Sequence, residues 1–109
     1  MANTYKVLGQ LNPSATTATT LYTVPAATST VGSSLTICNQ AATSATFRIA
    51  VRPAGATLAT QHYLAYDTPL GASDSIAMTM GITMGNTDII TVSAFSGNVS
   101  FTAFGSELT

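Results

Sequence analysis

Apolar residues recur at every second position of this chain far more often than at every third or fourth, and this alternation constrains the fold most. In the segment 45–52, Phe47, Ile49 and Val51 fall on one face of an extended strand. A helix would scatter these three side chains around its circumference. The polar positions between the apolar ones are mainly Thr and Ser, which suit a pleated sheet. The sequence therefore predicts an all-β protein.

Turn-rich stretches containing Pro, Gly and Asn separate about eight short strands. The predicted strands are 4–10, 19–24, 31–38, 45–52, 61–67, 74–82, 88–95 and 98–105. Their even spacing predicts a single-domain antiparallel β-sandwich or jelly roll over residues 1–109. The segment 11–18 is predicted to be an extended loop or arm. The pair Gly97-Asn98 predicts a tight hairpin that makes the seventh and eighth strands antiparallel neighbours.

Charged residues are scarce, because only 6% of the chain is Asp, Glu, Lys or Arg, whereas soluble domains carry about 25%. Such a surface is poorly protected against self-association. We therefore expect part of the surface to be covered in an assembly; the alternative is a monomer whose surface is solvated by Thr and Ser hydroxyls. Three cations cannot neutralise several phosphates in a row, so no nucleic-acid partner is expected.

The chain gives no sign of export or of membrane insertion. Its first residues lack the basic and apolar regions of a secretory signal, and no run approaches the length of a membrane helix. Cys38 is the single cysteine, so no internal disulfide is expected. We expect a protein that is made in a cytoplasm, without a membrane partner.

His62 is the one histidine, and a catalytic interpretation would combine it with Asp67 or Asp74 and a serine. No serine lies in a Gly-x-Ser-x-Gly motif, so we expect His62 to lie on a strand face and predict neither a catalytic residue nor a cofactor. The residues Asp67, Asp74 and Asp88 are too dispersed for a calcium loop. Each is expected to cap a turn, and no metal site is predicted.

Four residues are candidates for contacts with a partner protein. Arg48 and Arg52 share the polar face of one predicted strand and could bind an acidic surface, or they could simply be solvated. Met78 and Met80 lie in a flexible apolar strip, which could form an adaptable contact between subunits or fill the core.

A second set of residues forms a candidate glycan-binding patch. Tyr63 and Tyr66 could stack on sugars, and the neighbouring His62 and Asp67 could supply hydrogen bonds. Trp, which is common in such sites, does not occur in the chain.

Four segments of the chain carry a resemblance to a known group of proteins: ATTLYTVPA (18–26), VGSSLTICN (31–39), ATFRIAVR (45–52) and the ending FGSELT (104–109). In these segments the chain resembles small virion structural proteins of tailed bacteriophages. The resemblance implies a β-sandwich module that decorates a capsid, a tail or a fibre. The resemblance brings no catalytic or cofactor positions with it.

Together these observations predict a non-enzymatic bacteriophage virion protein. The leading hypothesis is a capsid decoration (cement) protein that forms a homotrimer, binds the major capsid protein and reinforces the head. The alternatives are a tail protein, baseplate or fibre component and, from another class, a carbohydrate-binding module. In a decoration protein, one modest contact would be repeated by symmetry.

Overall fold

The computed structural model describes residues 3–109, with the exception of the Met80 side chain. Each of the eight predicted strands overlaps an observed one, which confirms the all-β prediction. The strands are β1 (Asn3–Leu11), β2 (Thr19–Thr23), β3 (Ser29–Asn39), β4 (Ala45–Arg52), β5 (Tyr63–Leu70), β6 (Ser75–Met84), β7 (Ile89–Ala94) and β8 (Val99–Leu108). Two short 3-10 helices, Pro53–Gly55 and Thr60–His62, lie between β4 and β5.

The strands form two four-stranded antiparallel sheets that pack face to face. Sheet A has the order β1-β8-β3-β6, and sheet B has the order β2-β7-β4-β5. Six of the seven connections pass from one sheet to the other, and only β4 and β5 are consecutive neighbours within a sheet. This arrangement is a jelly roll, which is one of the two forms of sandwich that the sequence predicts.

The predicted hairpin between β7 and β8 is wrong. The turn at Gly97-Asn98 exists, but it carries the chain from sheet B to sheet A. β7 pairs with β2 and β4, whereas β8 pairs with β1 and β3. The alternation of apolar residues shows which side chains of a strand point inward. The alternation does not show whether the next strand pairs alongside or lies in the opposite sheet, so it could not identify the partner of β8.

The core lies between the sheets and is built from the inward residues of every second position. Phe47 of sheet B and Phe101 of sheet A meet edge to face, with ring centroids 6.3 Å apart. The other large side chains that are almost completely buried come from both sheets: Leu35, Ile37, Ile49, Met84, Ile90, Val92 and Val99. Burial of these aliphatic and aromatic groups is the main favourable term for the sandwich.

Strand β8 lies so close to β3 that one of its positions requires glycine. A Cβ atom added to Gly105 would overlap the carbonyl oxygen of Val31 and lie 3.0 Å from the Cα of Gly32. Those neighbours are backbone atoms of a paired strand, so they cannot move aside cheaply. The centre of sheet A is therefore closely packed at this point.

Strand β5 is an edge strand with two irregularities in its pairing with β4. The register shifts between Phe47 and Ile49 and again between Ile49 and Ala50. At the first shift, Asp67 has a φ of 50°, in the left-handed region. Bulges of this kind re-aim side chains and discourage an edge strand from pairing with another chain. They bring the side chain of Asp67 to Arg48 on the outer face of sheet B.

The segment between β1 and β2 (12–18) contains all of the predicted loop or arm 11–18 except Leu11, which ends β1. In the structure, its Thr16 amide donates a hydrogen bond to the carbonyl oxygen of Ala94, with an N–O distance of 2.7 Å. This bond fixes the middle of the segment against the end of β7.

Candidate functional site

All seven strongly ionisable residues lie in the described part of the chain, and each one makes a hydrogen bond within it. Lys6 pairs with Glu107 at 3.1 Å, and Arg48 pairs with Asp67 at 2.6 Å. The remaining three bond to backbone or hydroxyl groups: Arg52 to Thr91 and Ala56, Asp74 to the Ser75 amide, and Asp88 to the amides of Ala54 and Gly85. The charges therefore serve internal contacts, although several of the side chains remain partly exposed.

One ion pair belongs to a polar cluster that joins the two sheets. The Tyr22 hydroxyl of sheet B donates a hydrogen bond to Glu107 of sheet A and lies 2.8 Å from the Thr30 hydroxyl. Burial raises the pKa of Tyr22 to about 12, and the hydrogen bond to Glu107 adds to the effect. The same hydrogen bond, with help from Lys6, holds the pKa of Glu107 below its ordinary value. The cluster thus stabilises a neutral Tyr22 and an ionised Glu107.

The outer face of sheet A is apolar at its centre, and we call this surface the sheet A face. Its exposed members are Tyr5, Val7, Val31, Phe104 and Leu108. Tyr5 is 80% exposed and Phe104 is 37% exposed. The strand register places Val7 directly beside Phe104, and it places Ser106 between Tyr5 and Val31. The side chains are therefore neighbours and form one patch, a feature that marks interaction surfaces.

The outer face of sheet B carries the second ion pair. Arg48 donates two hydrogen bonds to the carboxylate of Asp67, from Nε at 2.6 Å and from Nη2 at 3.2 Å. The Arg48 guanidinium carbon also lies 4.0 Å from the centre of the Tyr66 ring. Pairing with Asp67 raises the pKa of Arg48, and pairing with Arg48 lowers the pKa of Asp67. Asp67 is therefore part of an ion pair, and its predicted role as a turn cap is wrong.

The other two aspartates do cap turns, as predicted. Asp74 accepts a hydrogen bond from the next amide in the chain. Asp88 accepts from the Gly85 amide of its own turn and from Ala54 in the connection between β4 and β5. Among the described residues, no group of three His, Cys, Asp or Glu side chains could hold a metal ion.

The candidate glycan patch is only partly brought together. The rings of Tyr63 and Tyr66 meet edge to face, 4.9 Å between centroids, and Arg48 covers one face of Tyr66. His62 does not lie on a strand face, so that prediction is wrong. It ends a 3-10 helix, where its Nδ1 accepts a hydrogen bond from the Ala59 amide at 3.0 Å. This local bond closes the turn that leads into β5.

The candidate partner contacts do not lie on one common surface. Arg48 and Arg52 lie on the outer side of β4 and are held by contacts within the chain. Met78 lies on the edge strand β6 and packs partly against the core. The side chain of Met80 lies outside the described part of the structure.

Sequence reasoning missed two exposed phenylalanines. Phe101 and Ala103 are buried, and Phe104 is the next residue after Ala103. The alternation along the strand could therefore have identified Phe104 as an outward residue. Phe95 directly follows β7, is 62% exposed, and lines a cavity with Arg48 and Asp67. The cavity is lined by residues from β4, β5, the end of β7 and the loop after β1. These segments are distant in the sequence, so no local sequence pattern predicts the cavity.

No family model and no curated protein matches the sequence. One similar solved structure is a chain in the structure of the Gx strain of infectious bursal disease virus, with 15% sequence identity and a TM-score of 0.46. The alignment covers 97% of this chain but only 30% of that chain.

In the described residues, no helix has the length and apolar character needed to cross a membrane.

Proposed function

We propose that this protein is a non-enzymatic structural component of a virion, and specifically a capsid decoration protein of a tailed bacteriophage. It binds the outside of the head as a homotrimer and reinforces the contacts between major capsid proteins. The observation that carries the proposal is the sheet A face, an exposed apolar patch on a molecule whose charged residues all bond within the chain.

The energetics of such a surface favour association. The chain exposes 5562 Å² of surface, so seven charged residues amount to about one for each 800 Å², which is the area that one partner gives to a standard interface. Burying an unpaired charge is expensive, whereas burying aromatic and aliphatic groups is favourable, and a hydroxyl group can be buried where it finds a hydrogen-bond partner. The sheet A face can therefore be covered by another protein without leaving an isolated charge.

The topology supports the same assignment. Jelly rolls of eight strands recur in viral capsid domains and in lectins, where a rigid sandwich presents its faces and end loops to partners. Fold alone does not determine function, so the assignment depends on the surface. Repetition around a threefold axis and over a shell would turn one modest contact into strong attachment.

Particles with and without the protein provide the direct test. Particles that carry it should resist heat or osmotic shock better than particles that lack it. The Phe104→Lys variant should bind such particles weakly, because a charge in the sheet A face would prevent formation of the homotrimer and so remove the repeated contacts. The Phe95→Lys variant is the matched control, since it adds the same charge to an exposed phenylalanine outside that face. Equal heat and osmotic resistance of the two kinds of particle would contradict a reinforcing role.

Location distinguishes the head from the tail. Labelled protein should appear over the whole capsid surface in electron micrographs. Label confined to the tail, baseplate or fibres would replace the decoration proposal with a tail-associated structural role.

A further inference from the structure

A concave cavity of about 320 Å³ opens on the outer face of sheet B, on the opposite side of the sandwich from the sheet A face. The proposed assembly role does not use it. Its principal lining residues are Thr16, Thr46, Arg48, Asp67, Ser93 and Phe95. They come from three strands of one sheet, from the residue directly after β7 and from the loop after β1.

The walls of the cavity are fixed by backbone hydrogen bonds. The Thr16 amide donates to Ala94 at 2.7 Å, and the Phe95 amide donates to the carbonyl oxygen of Thr46 at 2.9 Å. Asp67 is held by the bulge of β5 and by its ion pair with Arg48. A site that is already formed before binding loses little conformational entropy when a ligand enters.

The cavity offers both donors and acceptors. The pair with Asp67 uses two of the five N–H groups of Arg48, and the carboxylate has further lone-pair positions. The hydroxyls of Thr46 and Ser93 face no hydrogen-bond partner within residues 3–109. Each hydroxyl can donate one hydrogen bond and accept two. A ligand with several hydroxyl groups would satisfy these positions.

Phe95 supplies the apolar part of the site. Its ring is 62% exposed at the rim of the cavity. An aromatic ring beside a few convergent polar groups is the usual composition of a small-molecule site. The C–H face of a sugar ring can pack on such a surface while its hydroxyl groups point to the polar wall.

We propose that this cavity binds a neutral saccharide, with Phe95 as the stacking surface and the Arg48–Asp67 pair as the hydrogen-bonding wall. The volume lies at the lower end of the range for small-molecule sites, roughly 300–1,000 Å³, which suits one or two sugar rings. The charge of Arg48 is balanced by Asp67, so an anionic ligand would have to compete with that carboxylate. The site is therefore matched to hydroxyl groups and not to phosphate.

The position of the cavity is compatible with assembly. When the sheet A face is covered, sheet B faces away from the contact and its cavity remains accessible. Many weak sites repeated on a particle would bind a glycan-coated surface with high avidity. The single chain should nevertheless bind the sugar by itself, so the proposal does not depend on the virion role.

An NMR titration of the isotopically labelled chain tests the site. The probes are methyl glucoside, methyl galactoside, methyl mannoside and N-acetylglucosamine, each raised to millimolar concentration. We expect saturable shifts for the amides of Thr16, Asp67 and Phe95 with at least one probe. The absence of saturable shifts across the whole panel would overturn the proposal.

Variants locate the binding and test its chemistry. Phe95→Ala should weaken binding about 5-fold through loss of the stacking contact. Asp67→Asn should also weaken it, while Asn tolerates the left-handed backbone at this position. Phe104→Ala on the sheet A face is the matched control and should bind normally. Unchanged binding in Phe95→Ala, or tighter binding of inorganic phosphate than of any sugar at the same amides, would overturn the assignment.

Discussion

The two outer faces of this sandwich differ sharply although the same alternation of residues produces both. The charged residues in the strands of sheet A are Lys6 and Glu107, which bind each other on the side where Glu107 contacts Tyr22 of sheet B, and the exposed centre of the outer face is apolar. The outer face of sheet B carries the Arg48–Asp67 pair beside a cavity. An exposed apolar face is suited to burial against protein, whereas a cavity lined by paired charges and hydroxyl groups is suited to a small polar ligand.

Part of the difference arises from the pairing of the edge strand β5. In sheet A, the central strand β8 pairs on both sides over nearly its whole length, with one register shift on each side. In sheet B, the edge strand β5 shifts register twice, and residues between β4 and β5 bond back to that sheet through Arg52 and Asp88. The bulge at Asp67, with its positive φ, aims the carboxylate at Arg48 and so places a charged pair on the outer face of sheet B.

The largest expected effect concerns the close packing at the centre of sheet A. Gly105→Ala should destabilise the protein by about 3 kcal/mol or more, because the new methyl group would overlap the backbone of Val31. Gly81→Ala in the edge strand β6 is the control, since its Cβ would meet no atom within 4 Å. Urea unfolding of both variants measures the difference, and equal stability would mean that sheet A is not tightly packed at β8.

The next effect concerns the cluster that joins the two sheets. Tyr22→Phe should cost about 2 kcal/mol, because Glu107, whose side chain is only 12% exposed, loses a hydrogen bond. Thermal unfolding at neutral pH measures this loss. Thr20→Val, in the same strand, is a control outside the cluster, and it should have the smaller effect.

The same cluster makes stability depend on pH at both extremes. Because the pKa of Glu107 in the folded protein lies below its ordinary value of 4.5, ionised Glu107 stabilises the fold at pH values above 4.5. This stabilisation is lost as the pH falls through the folded-state pKa. The raised pKa of Tyr22 stabilises the fold below pH 10, and this part is lost as the pH rises toward about 12. Unfolding curves across both ranges should show these losses in the natural protein. Tyr22→Phe should lack the tyrosine contribution between pH 10 and 12; a curve unchanged there would contradict this assignment.

The smallest effect on stability is expected at the charged pair of sheet B. Asp67→Asn should shift the melting temperature by no more than about 2 °C, because exposed ion pairs contribute little. Its loss of sugar binding should be much clearer than its loss of stability. A large drop in melting temperature would show that the pair is mainly structural and would remove the contrast between the faces.

The strands could be predicted from the sequence because alternation is a local property. Phe47 and Ile49 are buried where the pattern places them. Pairing between strands is not local, and the hairpin assigned to Gly97-Asn98 was wrong for that reason. Buried polar groups were also missed: Asn39 is 1% exposed and bonds to Thr43 and Gly71, which belong to two different loops.

The sites were less predictable than the fold. Asp67 was included in the candidate glycan patch, but its ion pair with Arg48 depends on a bulge and a positive φ that no motif indicates. Phe95 joins it only because the loop after β1 and the end of β7 meet at the same place. The scarcity of charge was visible in the sequence, whereas the pairing of those charges within the chain required the structure.

Sedimentation equilibrium at micromolar concentration tests most directly whether the sheet A face is an assembly surface. The natural chain should sediment as a trimer of its 11.1 kDa subunit, and Phe95→Lys should do the same. Phe104→Lys should sediment as a folded monomer, because a charge at the centre of the sheet A face cannot be buried cheaply. A natural chain that is monomeric, or a Phe104→Lys variant that still forms trimers, would contradict the account.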